Sequence, residues 1–256
     1  EMVRRSRQAY FANISYIDEK IGELLDILKR TRMDENTIVV FTSDHGDMLG
    51  ERGAWFKMSF LEGACRVPLM VAAPGMTAGR IETPVSTLDV LPTLLELSGL
   101  PPSIAAPWFD GESLVPVAAG AARGPVPMEY AAEGTITPMV ALREGAWKYI
   151  HCPADPPMLF DLANDPHELD NKAGDATSAD RARALKAQID ARWNLDAFDA
   201  SVRESQARRL VVYEALRNGA YYPWDYQPLQ RASERYMRNH MDLNVLEENQ
   251  RFPRGE

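Results

Sequence analysis

Apolar residues recur at three- and four-residue intervals near the start of the chain: Tyr10, Phe11, Ile14, Ile17, Ile21, Leu24, Leu25 and Leu28. That spacing lines one face of a long helix, and Lys29 and Arg30 at its end suit the negative pole of the helix dipole. The β-branched run Thr37-Ile38-Val39-Val40-Phe41-Thr42 follows, and Pro68-Leu69-Met70-Val71-Ala72-Ala73 forms a second run, closed by Pro74-Gly75. Both have the length and composition of buried strands. Residues 88–97 read as another helix, with Asp89 as N-cap, Pro92 in the tolerant first turn and Gly99 in the left-handed end position. Helix, strand, loop, strand, helix predicts a layered α/β domain.

The pattern changes after Pro101. Pro and Ala thicken through residue 127, and then come strand-like pieces at 139–143, 147–151 and 158–162. Arg143-Glu144-Gly145-Ala146 between the first two has the composition of a hairpin turn, so a small antiparallel sheet is expected. Residues 178–193, opened by Ser178 as a cap, and 201–216 read as helices. The expected division is residues 1–125 as an α/β domain, 126–220 as a small α+β domain and 221–256 as an extended aromatic tail.

Composition narrows the function classes. The 256 residues are 45% apolar and 25% charged, the balance of a soluble globular protein. A net charge of −9 excludes a broad phosphate grip on nucleic acid, which needs a basic face. No apolar run reaches the roughly 18 residues of a membrane span. Cys65 and Cys152 are the two cysteines, too few for a disulfide framework, which fits a reducing cytoplasm. The chain opens at Glu1 directly in a helical pattern, so we expect it to be the later part of a longer protein.

Candidate chemistry concentrates in Ser43-Asp44-His45-Gly46-Asp47, directly after the first strand, where α/β sheets place their ligand sites. Asp44 supplies a hard anionic oxygen and His45 an imidazole nitrogen, both competent metal ligands. Gly46 allows backbone geometry in which adjacent side chains aim at one point. Twelve residues after His45, Lys57 lies among Trp55, Phe56 and Met58, a compact cation suited to an anionic ester oxygen.

The ordered block from Thr42 to Glu51, then Trp55-Phe56-Lys57, then Arg66-Val67-Pro68-Leu69, resembles a signature block of the sulfatase family in the alkaline-phosphatase superfamily. Leu88-Asp89-Val90-Leu91-Pro92-Thr93-Leu94-Leu95 resembles the family's next landmark. The resemblance implies an α/β/α sandwich, present here in part, followed by a small C-terminal domain on an antiparallel sheet. It implies that Asp44 and His45 bind one divalent metal ion, Ca²⁺ with Mn²⁺ open because of the imidazole, and that Lys57 contacts the sulfate group. It also implies a formylglycine nucleophile made from a cysteine in a Cys-x-Pro/Ala/Ser-x-Arg stretch. Neither Cys65-Arg66-Val67-Pro68-Leu69 nor Cys152-Pro153-Ala154-Asp155-Pro156 matches that stretch, so both read as structural cysteines and the formylglycine is expected in a preceding half.

Met128-Glu129-Tyr130-Ala131-Ala132-Glu133-Gly134, Trp147-Lys148-Tyr149-Ile150-His151 and Leu159-Phe160-Asp161-Leu162 resemble the choline-sulfatase branch. So does the tail, with Ser205-Gln206-Ala207-Arg208-Arg209, Trp224-Asp225-Tyr226-Gln227-Pro228 and Arg235-Tyr236-Met237-Arg238-Asn239-His240. The branch implies choline sulfate as the small-molecule substrate, no nucleic-acid or membrane partner, and a cytoplasmic enzyme. Glu133 suits a trimethylammonium group, which a carboxylate attracts without a hydrogen bond. The tail, rich in Arg, Tyr and Trp but without a period of its own, is expected to build a homo-oligomer. Two other readings stay open: a phosphonate monoester or phosphodiester hydrolase of the same superfamily, and a non-catalytic oligomerisation module.

Overall fold

The computed structural model describes residues 1–104, 108–132 and 135–217. Glu133 and the expected tail, residues 221–256, lie outside them. By contacts the chain divides into two units, Glu1–Leu195 and a second beginning at Asp196. The second is represented mainly by one long helix.

The first unit opens with α1, Met2–Thr31, whose last turn carries Lys29 and Arg30 and whose end is closed by Arg32 in the left-handed region. Strand β1 (Val39–Thr42) follows, then the two-residue strands β2 (Met48–Leu49) and β3 (Trp55–Phe56), the short helix α2 (Glu62–Cys65), strand β4 (Leu69–Ala72) and helix α3 (Val90–Leu97). β1 pairs antiparallel with β4, Val39 opposite Ala72 and Thr42 opposite Leu69. The two β-branched runs are therefore strands, but not buried ones. No residue of either is fully covered, and Met70 is 58% exposed. The apolar face of α1 is likewise open, with Phe11, Ile14, Ile17 and Leu24 all about half exposed or more. Sequence periodicity reports which face is apolar; it says nothing about whether a partner is present to cover it.

The caps differ from expectation in an instructive way. Asp89 is the N-cap of α3 as expected, but its side chain serves the turn before it: the Ser86 hydroxyl accepts from Leu88 N, while Asp89 reaches back to accept from Ser86 N at 2.8 Å. Asp89 is thus the returning carboxylate of a capping box. Its other oxygen takes Glu112 N and the Arg123 guanidinium, which lets a wholly buried acid stay paired. Gly99 closes α3 at φ 77° as anticipated.

After the short helix α4 (Val115–Ala118), strands β5 (Val126–Tyr130), β6 (Met139–Glu144), β7 (Trp147–Cys152) and β8 (Asp155–Asp161) form one antiparallel sheet in chain order. β5 was absent from the sequence expectation because Pro127 interrupts its pattern; as an edge strand it tolerates the missing donor. Glu144 pairs with Trp147 across a two-residue turn in which Gly145 takes φ 55°. Cross-strand partners Arg143–Lys148–Phe160 and Ala141–Ile150–Met158 share one face. On that face Ala141, Ile150 and Phe160 pack with Phe60, which meets Tyr130 edge-on at 6.5 Å. The opposite face lies against α5 (Ala179–Arg192), whose Leu185 and Ile189 are fully buried. Ser178 precedes α5 but makes no side-chain cap bond, because it closes a preceding turn and its own N–H goes to Asp175 O. The second unit carries α6, Leu195–Arg217. The fold is therefore mixed, helices with antiparallel sheets.

Candidate active site

A backbone hydrogen bond ties the loop after β1 to α2. Gly46 N donates to Ala64 O at 2.8 Å, seating the loop on α2. A Cβ on Gly46 would meet Gly63 O at 2.3 Å, so only glycine permits this approach. Asp44 and His45 project from the loop on the side that remains accessible, Asp44 with 84% of its side chain exposed.

His45 Nδ1 lies 2.9 Å from Gly46 O. A carbonyl can only accept, so Nδ1 donates to it and Nε2 is the ring nitrogen left available to a ligand. Nε2 lies 3.5 Å from Asp44 Oδ2. Asp44 Oδ1 accepts from His45 N at 2.9 Å, and this bond holds the carboxyl below its ordinary range, so it is ionised at neutral pH. His45 Nε2 and Asp44 Oδ2 are thus neighbouring candidate ligand atoms. Their separation is shorter than the sum of two metal–ligand bonds of about 2.0 to 2.6 Å, so one cation can bind both. Among the described residues no group of three or more His, Cys, Asp and Glu side chains converges on such a point. The pair fits a metal ion as part of a larger ligand set.

Lys57 directly follows the β2–β3 hairpin that comes after this loop. Met48 pairs with Phe56 and Leu49 with Trp55, and Lys57 is the next residue after the last pair. Phe56 adopts φ 66°, unusual for a bulky residue, immediately before Lys57. Helix α1 steadies the hairpin. Arg7 donates to Leu49 O at 2.9 Å and pairs with Glu51 at 2.8 Å. Tyr10 lies near enough to Asp47 that burial first, and that negative charge second, raise its phenol above the ordinary range. Asp44, His45 and Lys57 therefore lie on adjoining segments. Glu133 falls outside the described residues.

Beneath the loop is a cluster that the sequence did not announce. Lys148 on β7 is fully buried, its Nζ 2.8 Å from Glu62 Oε1 and 2.6 Å from Glu168 Oε1. Glu168 Oε2 accepts from Glu62 N at 2.7 Å, and Arg52 donates to Glu168 O. Cys65 joins the cluster: its thiol donates to Phe60 O at 3.1 Å and lies 3.7 Å from Lys148 Nζ. Burial pushes that thiol up from its usual range, and both cysteines are free. A structural role fits it better than a nucleophilic one.

Comparison with known proteins gives the family. The family model described as Sulfatase matches residues 2–100, and that described as Choline sulfatase enzyme C terminal matches residues 200–252. A choline-sulfatase of Rhizobium meliloti is 62% identical over all of this chain, which covers 51% of that protein. The chain thus spans about half the length of this relative. Among solved structures, a 2-O GAG sulfatase superposes with a TM-score of 0.61 at 26% identity, over 75% of this chain and 42% of the other. A phosphonate monoester hydrolase of Agrobacterium radiobacter superposes with a TM-score of 0.57 at 27% identity, over 75% and 40%. The 62% identity over the whole chain, with these family-model matches toward both ends of the sequence, leads to one conclusion: the chain belongs to the sulfatase family.

Proposed function

We propose that this chain is the later part of a sulfuric ester hydrolase that converts choline sulfate and water to choline and sulfate. The observation that carries the reading is the 62% identity to a choline-sulfatase over the whole chain, including the region matched by the choline-sulfatase C-terminal model. Asp44 and His45 would hold one divalent ion, Ca²⁺ with Mn²⁺ as the alternative. When bound, that ion supplies positive charge where oxygen charge builds as the ester breaks. Lys57 places its ammonium against a sulfate oxygen from the adjoining hairpin. The nucleophile, a formylglycine in this family, is assigned to a segment outside the chain. Glu133 is assigned to the trimethylammonium group, for which a carboxylate supplies charge without a hydrogen bond.

The proposed organisation keeps residues 1–125 as part of the catalytic domain, 126–220 as the small domain and 221–256 as a tail that joins subunits. A cytoplasmic setting accords with two free thiols. No helix among the described residues is long and apolar enough to cross a membrane. A second reading, hydrolysis of phosphonate monoesters or phosphodiesters, draws on the superposition with the Agrobacterium radiobacter enzyme.

The test is hydrolysis of choline sulfate by the full-length gene product beside an aryl sulfate and a phosphodiester, with Asp44→Ala as control. Preference for choline sulfate, lost in Asp44→Ala, is the expected result. Preference for the phosphodiester would transfer the protein to the second reading.

A further inference from the structure

We propose that the buried Lys148–Glu168–Glu62 cluster positions the two halves of the active site, the metal loop and the lysine hairpin, from beneath. The inference rests on reading Asp44 and His45 as metal ligands. Lys148 and Glu168 lie outside both regions matched by the family models, residues 2–100 and 200–252.

The connection can be followed atom by atom. Lys148 and Glu168 fix Glu62, the first residue of α2, through its carboxylate and its backbone N–H respectively. Two residues later in α2, Ala64 O receives Gly46 N, and Gly46 immediately follows His45. The α2 backbone and the loop are in such close contact that the loop has no independent position: a Cβ on Gly63 would come within 2.7 Å of Met48 Sδ. Glu168 also reaches the other half. Its carbonyl receives Arg52, which sits in the turn joining β2 to β3, so it fastens the hairpin that carries Lys57. The Arg52 guanidinium also rests 5.6 Å over the Phe160 ring.

Two features set this cluster apart from an ordinary ion pair. A lysine with no solvent exposure, on the face that also carries buried Ala141, Ile150 and Phe160 beside Arg143, is a costly choice where an apolar residue would pack. Glu168 itself holds φ 57°, a backbone that few non-glycine residues adopt, and is 3% exposed. A tight turn supports it: Asp165 O accepts Glu168 N at 3.1 Å, and Asp165 Oδ2 accepts Asp170 N at 2.8 Å. Partners behind metal ligands orient them, and their loss typically weakens metal affinity by about 10- to 100-fold.

The experiment uses the full-length gene product, stripped of metal, as wild type, Lys148→Met, Glu168→Gln and Arg52→Gln. Ca²⁺ affinity is measured by calorimetric titration well below each variant's metal-free Tm, together with kcat and KM on choline sulfate. We expect Lys148→Met to bind Ca²⁺ about 10- to 100-fold more weakly. Arg52→Gln, altered on the hairpin side alone, should keep wild-type Ca²⁺ affinity while losing kcat. Glu168→Gln keeps the size of the side chain and one acceptor, so it stands in if Lys148→Met does not fold, and should weaken Ca²⁺ binding and lower kcat together. Folded Lys148→Met or Glu168→Gln with wild-type affinity would overturn the proposal. So would equal losses of affinity in Lys148→Met and Arg52→Gln, which would mark general destabilisation. Wild type that binds no Ca²⁺ or Mn²⁺ overturns the metal reading and this proposal together. Wild type that binds metal but ignores choline sulfate overturns only the substrate, and the titration still decides the positioning role.

Discussion

The four-stranded sheet and the elements that precede it solve the same packing problem with opposite outcomes. In the sheet, β6 and β7 are covered on one face by Phe60 and its neighbours and on the other by α5, and Val140, Leu159 and Phe160 lose all solvent exposure. In the earlier region α1 has no buried residue at all, and the β1–β4 pair has no fully buried one. Both regions have clear apolar periodicity. The difference is that the sheet finds its partners within this chain, while much of the apolar stripe of α1 stays exposed among the described residues. The candidate site lies between these regimes, anchored to the sheet through α2 and accessible on its other side.

The sharpest way to break this comparison is a pair of truncations. Phe160→Ala should cost about 3–5 kcal/mol of unfolding free energy in the 256-residue chain, measured by chemical denaturation, because a fully buried ring leaves a cavity. Phe11→Ala should change stability by less than about 0.5 kcal/mol in the same chain, since Phe11 is 62% exposed. Equal costs would show that α1 is covered and that the contrast is false. Repeating Phe11→Ala in the full-length gene product sharpens the question, because a cost of about 2 kcal/mol or more there would identify the α1 face as an internal interface.

The site should respond in the reverse sense, in activity but not in stability. Lys57 is exposed, and its backbone carbonyl accepts from Ser59 N at 2.7 Å. Lys57→Ala in the full-length product should lower kcat/KM on choline sulfate by about 10²- to 10³-fold with Tm unchanged. A Tm loss that scaled with the activity loss would assign Lys57 to the architecture instead. A smaller effect belongs to the sheet's own turn. Gly145→Ala, at φ 55°, should cost about 1–2 kcal/mol by denaturation, and a neutral result would mean the turn relaxes without strain.

Much of this contrast was legible in the sequence, though unevenly. The α1 stripe, the strand runs, Gly99 and the Gly145 turn carry strong local signals, and the structure forms each element, though the two strand runs are not buried as expected. The loop of Asp44 and His45 was legible by its position after a strand, and Lys57 by its resemblance to a family block. What escaped detection depends on contacts between distant segments. Lys148 reads as an ordinary polar position in a strand, and only Glu62, 86 residues earlier, shows why a cation is buried there. Glu168 reads as a loop acid because no sequence rule marks a buried left-handed glutamate. Asp89 is the N-cap of α3 as expected, but its carboxylate serves the preceding turn, where Ser86 and Asp89 satisfy one local pattern from either end.

The smallest expected effect tests the covered side of the sheet. His151 on β7 faces α5, and its Nδ1 is buried without a hydrogen-bond partner among the described residues. Burial first, and Lys186 second, lower its pKa from the ordinary 6.5, while Asp190 opposes them. An unfolded chain binds the proton near pH 6.5, whereas the folded chain does not until the pH falls further. Stability is therefore unaffected by this group well above pH 6.5 and declines as pH falls through that value toward the lower folded pKa. Denaturation of wild type at about pH 7.5 and pH 5.5 should show that loss, and His151→Gln should reduce it by the share this residue carries. The same loss in both proteins would place the acid sensitivity elsewhere. A smaller loss in the variant would show that the sheet excludes charge from its α5 face while admitting it, paired, on the face of Lys148. The two faces of one sheet would then differ as the two regions do, by whether a partner is present.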